Sequence, residues 1–395
     1  MLSILLIISI ISLIIWIGLL LFWGNFWQCA PILKLEKIEL DNYPAVCAVI
    51  PARNEAEVIE ISIKSLLEQD YRGEFNIILV DDRSSDKTAE IARKTAEQLN
   101  KSACLKIITG AELPVGWTGK LWAMKQGIEV AKQEFFPDYI LLSDADIKHN
   151  SHNLLQLVNK AKKDNCNLVS LMVLLRCESV WEKFLIPAFV FFFAKLYPFS
   201  QVNDRDRKTA AAAGGCILIE TDALNKIGGI EVIRTALIDD CALAAEVKAD
   251  NLANNDRKIW LGFTKDAFSL RSYPSLKSIW DLVARTAFTQ LNYSPLLLVG
   301  TVIGMILIYI VPPISVLLGT IILSWKIVAV GMLAYLLMSL AYLPTVRFYQ
   351  ISPLWAFNLS AIAFLYTLMT VDSAWQHWRG KGGAWKGRVY PQKSL

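Results

Sequence analysis

Long apolar runs occupy both ends of the chain, and a mixed, charged stretch lies between them. Residues 2–33 contain no Asp, Glu, Lys, Arg or His, and the block Leu2–Trp23 consists mostly of Leu and Ile. About twenty apolar residues are enough to cross a bilayer as a helix. A cleavable signal peptide would have a basic start, a short apolar core and a small-residue cleavage site, which this block lacks. We therefore predict an uncleaved transmembrane anchor in residues 1–33.

Three further apolar blocks lie near the other end of the chain. Pro295–Trp325, Ile327–Val346 and Ile351–Val371 carry no charge, and Lys326 and Arg347 separate them. We assign residues 34–294 to a soluble domain, residues 295–372 to a membrane region and residues 373–395 to a basic tail. This pattern predicts a multi-pass protein of the cell membrane.

The first of these blocks is longer than one span needs, and Pro312-Pro313 lies near its middle, where a helix kinks or ends. We expect a helical hairpin, or one span with a re-entrant segment, in this block. The tail is rich in Lys and Arg, so the positive-inside rule places it in the cytoplasm. We expect the soluble domain on the same side.

The soluble part alternates short apolar runs with helical periodicities. The predicted strands are Ala45–Ile50, Phe75–Val80, Leu105–Ile108, Tyr139–Ser143 and Ile217–Ile219, and the predicted helices are Glu57–Gln69, Lys87–Leu99 and Lys120–Gln133. Such βαβα alternation predicts an α/β fold with a mostly parallel sheet and helices on its faces. About 260 residues suffice for one large domain with its own core.

Charge and cysteine content narrow the class of protein. The net charge of +4 argues against nucleic acid as a partner, which would need a strongly basic patch. The seven cysteines are scattered and odd in number, and no C-x-x-C occurs. They predict neither a disulfide framework nor a zinc site, and they fit a reducing compartment.

Acidic side chains follow the predicted strands. Asp144 and Asp146 come directly after the strand that ends at Ser143, and Asp81 and Asp82 follow another strand. Ligands of α/β sheets collect at the carboxyl ends of the strands. Two carboxylates one residue apart are suited to hold Mg²⁺ or Mn²⁺ against a diphosphate, although a lone pair of this kind also occurs in solvated turns. We expect His149 and His152, just beyond, to lie in a flanking surface turn.

Five motifs in order carry a family resemblance. They are Pro51-Ala52-Arg53-Asn54-Glu55, Val80-Asp81-Asp82-x-Ser84-x-Asp86, Gly119-Lys120-x-x-Ala123, Asp144-Ala145-Asp146 and Ile238-Asp239-Asp240-x-x-Leu243. Residues 45–290 thereby resemble the family 2 inverting glycosyltransferases with the GT-A fold. The segments Gly116–Lys120 and Arg285–Leu291 look more narrowly like hopanoid-associated members, and Trp385–Tyr390 recurs in related lipid glycosyltransferases.

The resemblance implies roles for individual residues. It implies that Asp240, beside Asp239, is the catalytic base and that Asp144 and Asp146 are metal ligands. It implies an acceptor side that contains Gly214, Gly215 and Gln290. The implied nucleotide-sugar site consists of Pro51, Arg53, Glu55, Asp81, Asp82, Lys120, Asp144 and Arg285. The family has Glu where this chain has Asp239, which leaves the role of that residue open. Each group also has a structural interpretation: an Asx turn, a solvent-facing lysine, an acidic helix start or a turn into a strand.

The apolar, aromatic segment Val180–Phe199 is too interrupted by charges for an obvious span. We interpret it as an interfacial helix that leads a lipid towards the site, with a buried core helix as the alternative.

The resemblance as a whole implies transfer of a sugar from a nucleotide diphosphate sugar, expected to be a UDP-sugar, to a lipid hydroxyl such as that of a hopanoid. A processive polysaccharide synthase and a non-catalytic membrane scaffold are the competing interpretations. The first would normally carry Gln-x-x-Arg-Trp, from which the spacing of Arg285 and Gln290 departs.

Overall fold

The computed structural model describes residues 2–34, 40–254 and 258–380, with the backbone of two short tail strands, Ala384–Trp385 and Arg388–Val389. The main strands are β1 (Val46–Ala52), β2 (Phe75–Asp81), β3 (Leu105–Thr109), β4 (Tyr139–Ser143), β5 (Ile147–His149), β6 (Cys166–Leu174), β7 (Cys216–Glu220) and β8 (Lys258–Ser269). The helices of the soluble part are α2 (Ile59–Leu67), α3 (Thr88–Gln98), α4 (Gly119–Glu134), α5 (Asn153–Lys163), α6 (Val180–Leu196), α7 (Phe199–Asn203), α8 (Thr221–Lys226), α9 (Asp239–Asn254) and α10 (Leu276–Ala284). The apolar helices are α1 (Leu2–Phe22), α11 (Pro295–Met305), α12 (Val311–Ile321), α13 (Trp325–Phe348) and α14 (Leu359–Trp378).

The eight main strands form one mixed sheet in the order β3-β2-β1-β4-β7-β6-β8-β5. The pairs β1–β2, β2–β3, β1–β4 and β6–β8 are parallel, whereas β7 is antiparallel to both of its neighbours and β5 is antiparallel to β8. This confirms the predicted fold class of a mostly parallel α/β sheet. Two antiparallel steps restore the strand direction, so β1, β2, β4 and β8 all present their carboxyl ends at one edge.

Helix α6 lies between the sheet and the apolar helices. The ring of Phe191 contacts Phe26 and Tyr342, at centroid distances of 5.3 and 5.2 Å, and the ring of Phe192 contacts Tyr309 and Tyr366 at 5.6 and 4.9 Å. Such edge-to-face aromatic pairs contribute about 0.5–1.5 kcal/mol each beyond the area that they bury. The segment Val180–Phe199 is therefore helical up to Leu196; it packs on the apolar part, and its Glu182 accepts from the Tyr273 N–H of the soluble part.

Four helices in the described part of the chain are long and apolar enough to span a membrane: Leu2–Phe22, Pro295–Ile321, Trp325–Phe348 and Pro353–Trp378. The second of these is continuous, so the hairpin or re-entrant segment that we expected in Pro295–Trp325 is wrong. A π-helical turn at Ile306–Ile310 precedes the two prolines, which occupy the first turn of α12. There a missing N–H costs little, because the wider turn has already shifted the hydrogen-bonding register.

The last apolar segment, Pro353–Trp378, packs along only part of α13. The end of α13 meets the sheet, where the ring of Phe348 lies 5.5 Å from that of Phe263 in β8. The chain then turns back, and the Tyr335 hydroxyl donates to the Phe357 carbonyl at 2.7 Å. Helix α14 therefore begins beside the middle of α13 and ends against α10, where Trp280 Nε1 donates to the Asp372 carboxylate at 2.7 Å. Both ends of the segment 349–378 lie on the side of the sheet.

Candidate active site

A cleft of about 630 Å³ opens at the carboxyl edge of the sheet. Its wall includes residues from the ends of β1, β4 and β8, from the start of α9, from α10, and one residue from α14. Among the described lining residues, the carboxylates are Glu55, Asp144, Asp146, Asp239 and Asp281, and the cations are Lys120, Arg271 and Arg285. Five acids against three cations leave the wall negatively charged.

Lys120 holds together the two acidic ends of the cleft. Its Nζ lies 2.8 Å from Asp144 Oδ1, after β4, and 3.0 Å from Asp239 Oδ2, at the start of α9. Burial alone would lower the pKa of Lys120, but the charges of these two carboxylates outweigh it and raise the pKa above its usual value. The lysine therefore stays protonated. Lys120 would therefore have to make its predicted contact with the nucleotide while it remains paired with both carboxylates.

Asp240 lies behind Asp239 and is held by the backbone. Its Oδ2 accepts from the Gly214 N–H at 2.8 Å, and its Oδ1 from the Cys241 N–H at 2.8 Å. Burial and the neighbouring charge of Asp239 raise the pKa of Asp240 to about 6, although Lys120 and the two N–H groups oppose that shift. Asp239, rather than Asp240, lines the cleft.

Arg271 is a second internal cation, which the sequence patterns did not single out. Its Nε lies 2.9 Å from Asp146 Oδ2, and its Nη2 lies 2.8 Å from Glu55 Oε1. Burial would lower the pKa of Arg271, but these two carboxylates raise it. It lies two residues after the end of β8, and the signal that could have found it was the apolar run Ile259–Phe263 in that strand, which we did not assign.

The predicted metal ligands suit a hard divalent cation. Asp144 and Asp146 share one short turn and both line the cleft. In the described residues, no group of three or more His, Cys, Asp or Glu side chains is gathered around a possible metal position. Two carboxylates with the remaining ligands supplied by phosphate and water are the set that Mg²⁺ usually takes, so the residues present fit such an ion.

The other predicted donor-site residues divide into two groups. Pro51, near the end of β1, and Glu55, just after that strand, line the cleft. Arg53 instead donates from Nη1 to the Asp82 carbonyl at 2.6 Å, with the Asp82 carboxylate 3.6 Å away. Asp81 Oδ1 accepts from the Ser84 N–H at 3.1 Å, which is the turn interaction that we gave as its alternative. These three residues adjoin the cleft without lining it.

The predicted acceptor-side residues are also only partly brought together. A side chain at Gly214 would place its Cβ 3.3 Å from Asp240 Oδ2 and 3.4 Å from Lys120 Nζ, so glycine permits this close approach. Gly215 lines the cleft, as does Arg285, which we predicted for the nucleotide-sugar site. Gln290 does not; its Nε2 donates to the Tyr197 hydroxyl at 2.6 Å.

Lys248 fixes the loop that leads into these glycines. Its buried Nζ lies 2.6–3.2 Å from the backbone carbonyls of Gln201, Val202, Asp204 and Thr209. Burial lowers the pKa of Lys248 to about 8. Because Lys248 belongs to α9, the loop and the acidic start of that helix are attached to one element.

The expectation of a surface turn is wrong for His149, which is 3% exposed. Its Nδ1 lies 2.9 Å from Asn153 Nδ2 and its Nε2 lies 2.9 Å from Ser143 Oγ. With the amide donating to Nδ1, the ring proton is on Nε2, and Ser143 Oγ then donates to the Gly215 carbonyl at 3.2 Å. The neutral imidazole thus connects the turn of the predicted metal ligands to the acceptor-side loop. The alternation Ile147-Lys148-His149 in β5 was the available signal.

Comparison with known families agrees with this geometry. Residues 47–228 match the model of the family described as Glycosyl transferase family 2. The match covers β1 to β7 and the predicted metal ligands, and it ends before the acidic start of α9. Residues 47–228 therefore resemble a family 2 glycosyltransferase domain.

The curated relatives match over short stretches. A 4,4'-diaponeurosporenoate glycosyltransferase of Staphylococcus haemolyticus is 30% identical over 31% of this chain and 30% of its own length. A beta-monoglucosyldiacylglycerol synthase of Trichormus variabilis is 28% identical over 36% and 29%. A cholesterol galactosyltransferase of Borreliella burgdorferi is 32% identical over 31% and 31%. The chain thus spans less than a third of the length of these relatives.

Among solved structures, a mannosyltransferase from Pyrobaculum calidifontis in complex with GDP-Man and Mn²⁺ aligns with a TM-score of 0.51. The alignment covers 94% of this chain and 99% of that chain at 16% identity. It confirms the GT-A type of fold that the sequence motifs indicated.

The buried imidazole makes a testable prediction about acid stability. Burial lowers the pKa of His149 to about 4, from an ordinary value of 6.5. As pH falls, the unfolded chain takes up this proton first, so the native state loses up to about 3 kcal/mol as pH falls from about 6.5 to about 4. We expect the His149→Gln variant to lack this component. Melting curves of both proteins in detergent between pH about 7 and about 4.5 measure it. Parallel pH dependences would contradict the prediction.

Proposed function

We propose that this chain is a membrane-bound inverting glycosyltransferase, which moves a sugar from a nucleotide diphosphate sugar to a lipid hydroxyl. The observation that carries the proposal is the juxtaposition within one cleft of Asp144 and Asp146, the bridging Lys120, and the acidic start of α9, at an edge also lined by an apolar helix. The donor half corresponds to the matched family region. The acceptor half combines Gly214 and Gly215, which also lie in that region, with the start of α9, which follows it.

The charge balance of the cleft supports a metal-dependent donor site. A diphosphate would meet a wall that already carries more carboxylates than cations, so its binding needs additional positive charge. Asp144 and Asp146 would hold Mg²⁺ or Mn²⁺, which when bound stabilises the negative charge of the leaving nucleotide diphosphate. Lys120 and Arg271 then supply further positive charge beside the phosphates.

Inverting transfer needs a proton acceptor, and the acids at the start of α9 are the candidates for this role. The acceptor hydroxyl oxygen forms the new bond to the anomeric carbon while the bond to the diphosphate oxygen breaks, and a carboxylate takes the hydroxyl proton. We assign this role to Asp240, which matches the family base and whose raised pKa suits proton uptake. Asp239, which lines the cleft, keeps Lys120 in place.

The lipid acceptor is supported by two observations. Helices long enough to span a membrane pack against the domain, and one of them contributes to the cleft wall. The names of three relatives mention diaponeurosporenoate, monoglucosyldiacylglycerol and cholesterol, and the last two are lipids. Within this class, the segments Gly116–Lys120 and Arg285–Leu291 favour a hopanoid acceptor, as in HpnB, and the family pattern favours UDP as the nucleotide.

The competing functions receive less support. A non-catalytic scaffold on a degenerate domain would be expected to have lost a metal carboxylate or the base, yet Asp144, Asp146 and Asp240 are all present. A polysaccharide synthase would need Gln290 at the acceptor side, whereas it is bonded to Tyr197. The segment Trp385–Tyr390, which resembles related lipid glycosyltransferases, lies mostly outside the described residues.

We further propose an orientation in the membrane. Helix α1 would enter from outside, the continuous helix Pro295–Ile321 would cross outward, and α13 would return to the domain. The segment 349–378 leaves and rejoins the domain side, so it would be re-entrant rather than a full crossing. The catalytic domain and the basic tail would then share the cytoplasmic side, where nucleotide sugars are made. This agrees with the positive-inside rule.

The metal assignment makes the first prediction of this proposal. We expect Asp144→Asn and Asp146→Asn to lower transfer by roughly 10²–10³ or more, because each removes one charged ligand. Calorimetry should also show that the native chain binds a UDP-sugar more tightly with Mn²⁺ than with EDTA, and that both variants lose this difference. Asp281→Asn, in the same wall but paired with Lys277, is the matched control. Full metal-dependent binding by both variants would overturn the assignment.

The second prediction separates the two acids of α9. We expect Asp240→Asn to abolish transfer while donor affinity changes little, because the base acts on the acceptor proton. Asp239→Asn should be the milder change in rate and should weaken donor binding through Lys120. Donor titrations beside initial rates measure both effects. If the rate collapses only in Asp239→Asn, the base is Asp239 and our assignment is wrong.

The third prediction concerns orientation. A cysteine in place of Leu323, which is 76% exposed between α12 and α13, should react with a membrane-impermeant maleimide on intact cells. A cysteine in place of Arg379, after α14, should react only after permeabilisation, and the native chain is the control for its own cysteines. Labelling of Arg379→Cys on intact cells would mean that the last segment crosses fully, and would place the tail outside.

A further inference from the structure

One residue of the apolar helices reaches the cleft wall in the described part of the chain. Gln376, near the end of α14, lines the cleft together with Leu282, Arg285 and Thr286 of α10 and the turn after it. These four residues lie outside the region that matches the family model. Donor chemistry is what members of a glycosyltransferase family share, so the parts that follow the matched region are where acceptor recognition is expected.

Gln376 belongs to a small polar cluster at the end of an apolar helix. Its Nε2 donates to Asp372 Oδ2 at 2.6 Å, and Trp280 Nε1 of α10 donates to the same oxygen at 2.7 Å. Asp372 follows the uncharged block Ile351–Val371. A carboxylate next to an apolar span is costly unless it has partners, and such residues commonly serve a binding function. Here the two donors fix the carboxylate, and the carboxylate in turn fixes the amide of Gln376.

This arrangement leaves a defined hydrogen-bonding group for a ligand. One hydrogen of the Gln376 amide is used by Asp372, so Oε1 and the second N–H remain. Oε1 accepts from a hydroxyl, and the N–H donates to one. Gln376 and Asp239, at the start of α9, line the same cleft, so a hydroxyl-bearing lipid bound there from the side of the apolar helices would lie within a cleft that offers both groups.

We propose that Gln376, positioned by Asp372 and Trp280, is a specificity-determining residue that binds the hydroxyl-bearing end of the lipid acceptor. The inference rests on the proposed function and names the residue through which that site selects its acceptor. Oε1 accepts a hydrogen bond from the acceptor and holds the reacting hydroxyl towards the acids of α9. A purely structural role, in which the cluster only fastens α14 to α10, predicts a different outcome in the following experiment.

The test uses the full-length chain in lipid nanodiscs, with labelled UDP-glucose and UDP-galactose as donors. Diacylglycerol, cholesterol and a hopanoid polyol are the acceptor probes, and the one that the native chain uses best is taken forward. We expect Gln376→Met, which keeps the side-chain length, to raise the acceptor KM about 2- to 10-fold, the effect of one neutral hydrogen bond. Donor affinity, kcat and melting temperature should stay near native values. Asp372→Asn, which keeps an oxygen for Trp280, should give a smaller rise in the same KM.

Trp375→Phe is the matched control, because Trp375 neighbours Gln376 on α14 and is 51% exposed, away from the cleft. It should leave the acceptor KM unchanged. An unchanged KM in Gln376→Met, or a fall in melting temperature and donor affinity in step with the rise in KM, would overturn the inference while leaving the proposed function intact. A native chain that transfers sugar to none of the three lipids, with donor binding intact, would overturn the proposed lipid activity and this inference with it.

Discussion

The ion pairs of Lys120 with Asp144 and Asp239 are the constraint on which the rest of the site depends. The ammonium joins the turn after β4 to the first turn of α9, two elements almost a hundred residues apart in the chain. Two like charges about 4 Å apart near a protein surface repel by about 4 kcal/mol. Without the lysine, the carboxylate of Asp144, proposed to hold the metal, and that of Asp239, next to the proposed base Asp240, would repel one another. The absence of a side chain at Gly214 leaves room for this ion pair.

A second set of contacts relates the site to the apolar helices. The Glu182 side chain caps the start of α6, and its Oε1 also accepts from the Tyr273 N–H at 2.7 Å. Tyr273 follows Arg271, the residue that pairs with Asp146 and Glu55. The helix that packs on the apolar bundle therefore also fixes the loop that carries one of the two internal cations. Movement of the apolar helices relative to the sheet would be transmitted to the cleft wall through this cap.

The sequence predicted the first half of the fold well, because its signals are local. Strands β1 to β4 were expected within about two residues of their observed ends, and the acids that follow β1 and β4, Glu55, Asp144 and Asp146, line the cleft. The cleft that gathers Lys120, Asp144 and Asp239 follows from that topology. Arg271 and His149 were missed or misplaced because their roles depend on tertiary contacts. A histidine beside an acidic turn looks exposed until β5 pairs with β8 and α5 covers it.

The apolar C-terminal segments show that the length and composition of a segment do not by themselves predict how its helices are arranged. The charged residues between the apolar blocks marked the ends of these blocks correctly. In the first block, however, we predicted a break at the prolines, whereas a π-helical turn accommodates them within a continuous helix. The true change of direction is at residues 349–358, where neither a charge run nor a proline pair marks it. That turn brings Asp372 and Gln376 back to the cleft beside Trp280 of α10, which lies 92 residues before Asp372 in the sequence. A donor site can be inferred from motifs because a diphosphate and a metal need the same few groups at a strand end. An acceptor site assembled by helix packing has no such local signature, so its residues become visible only in the folded chain.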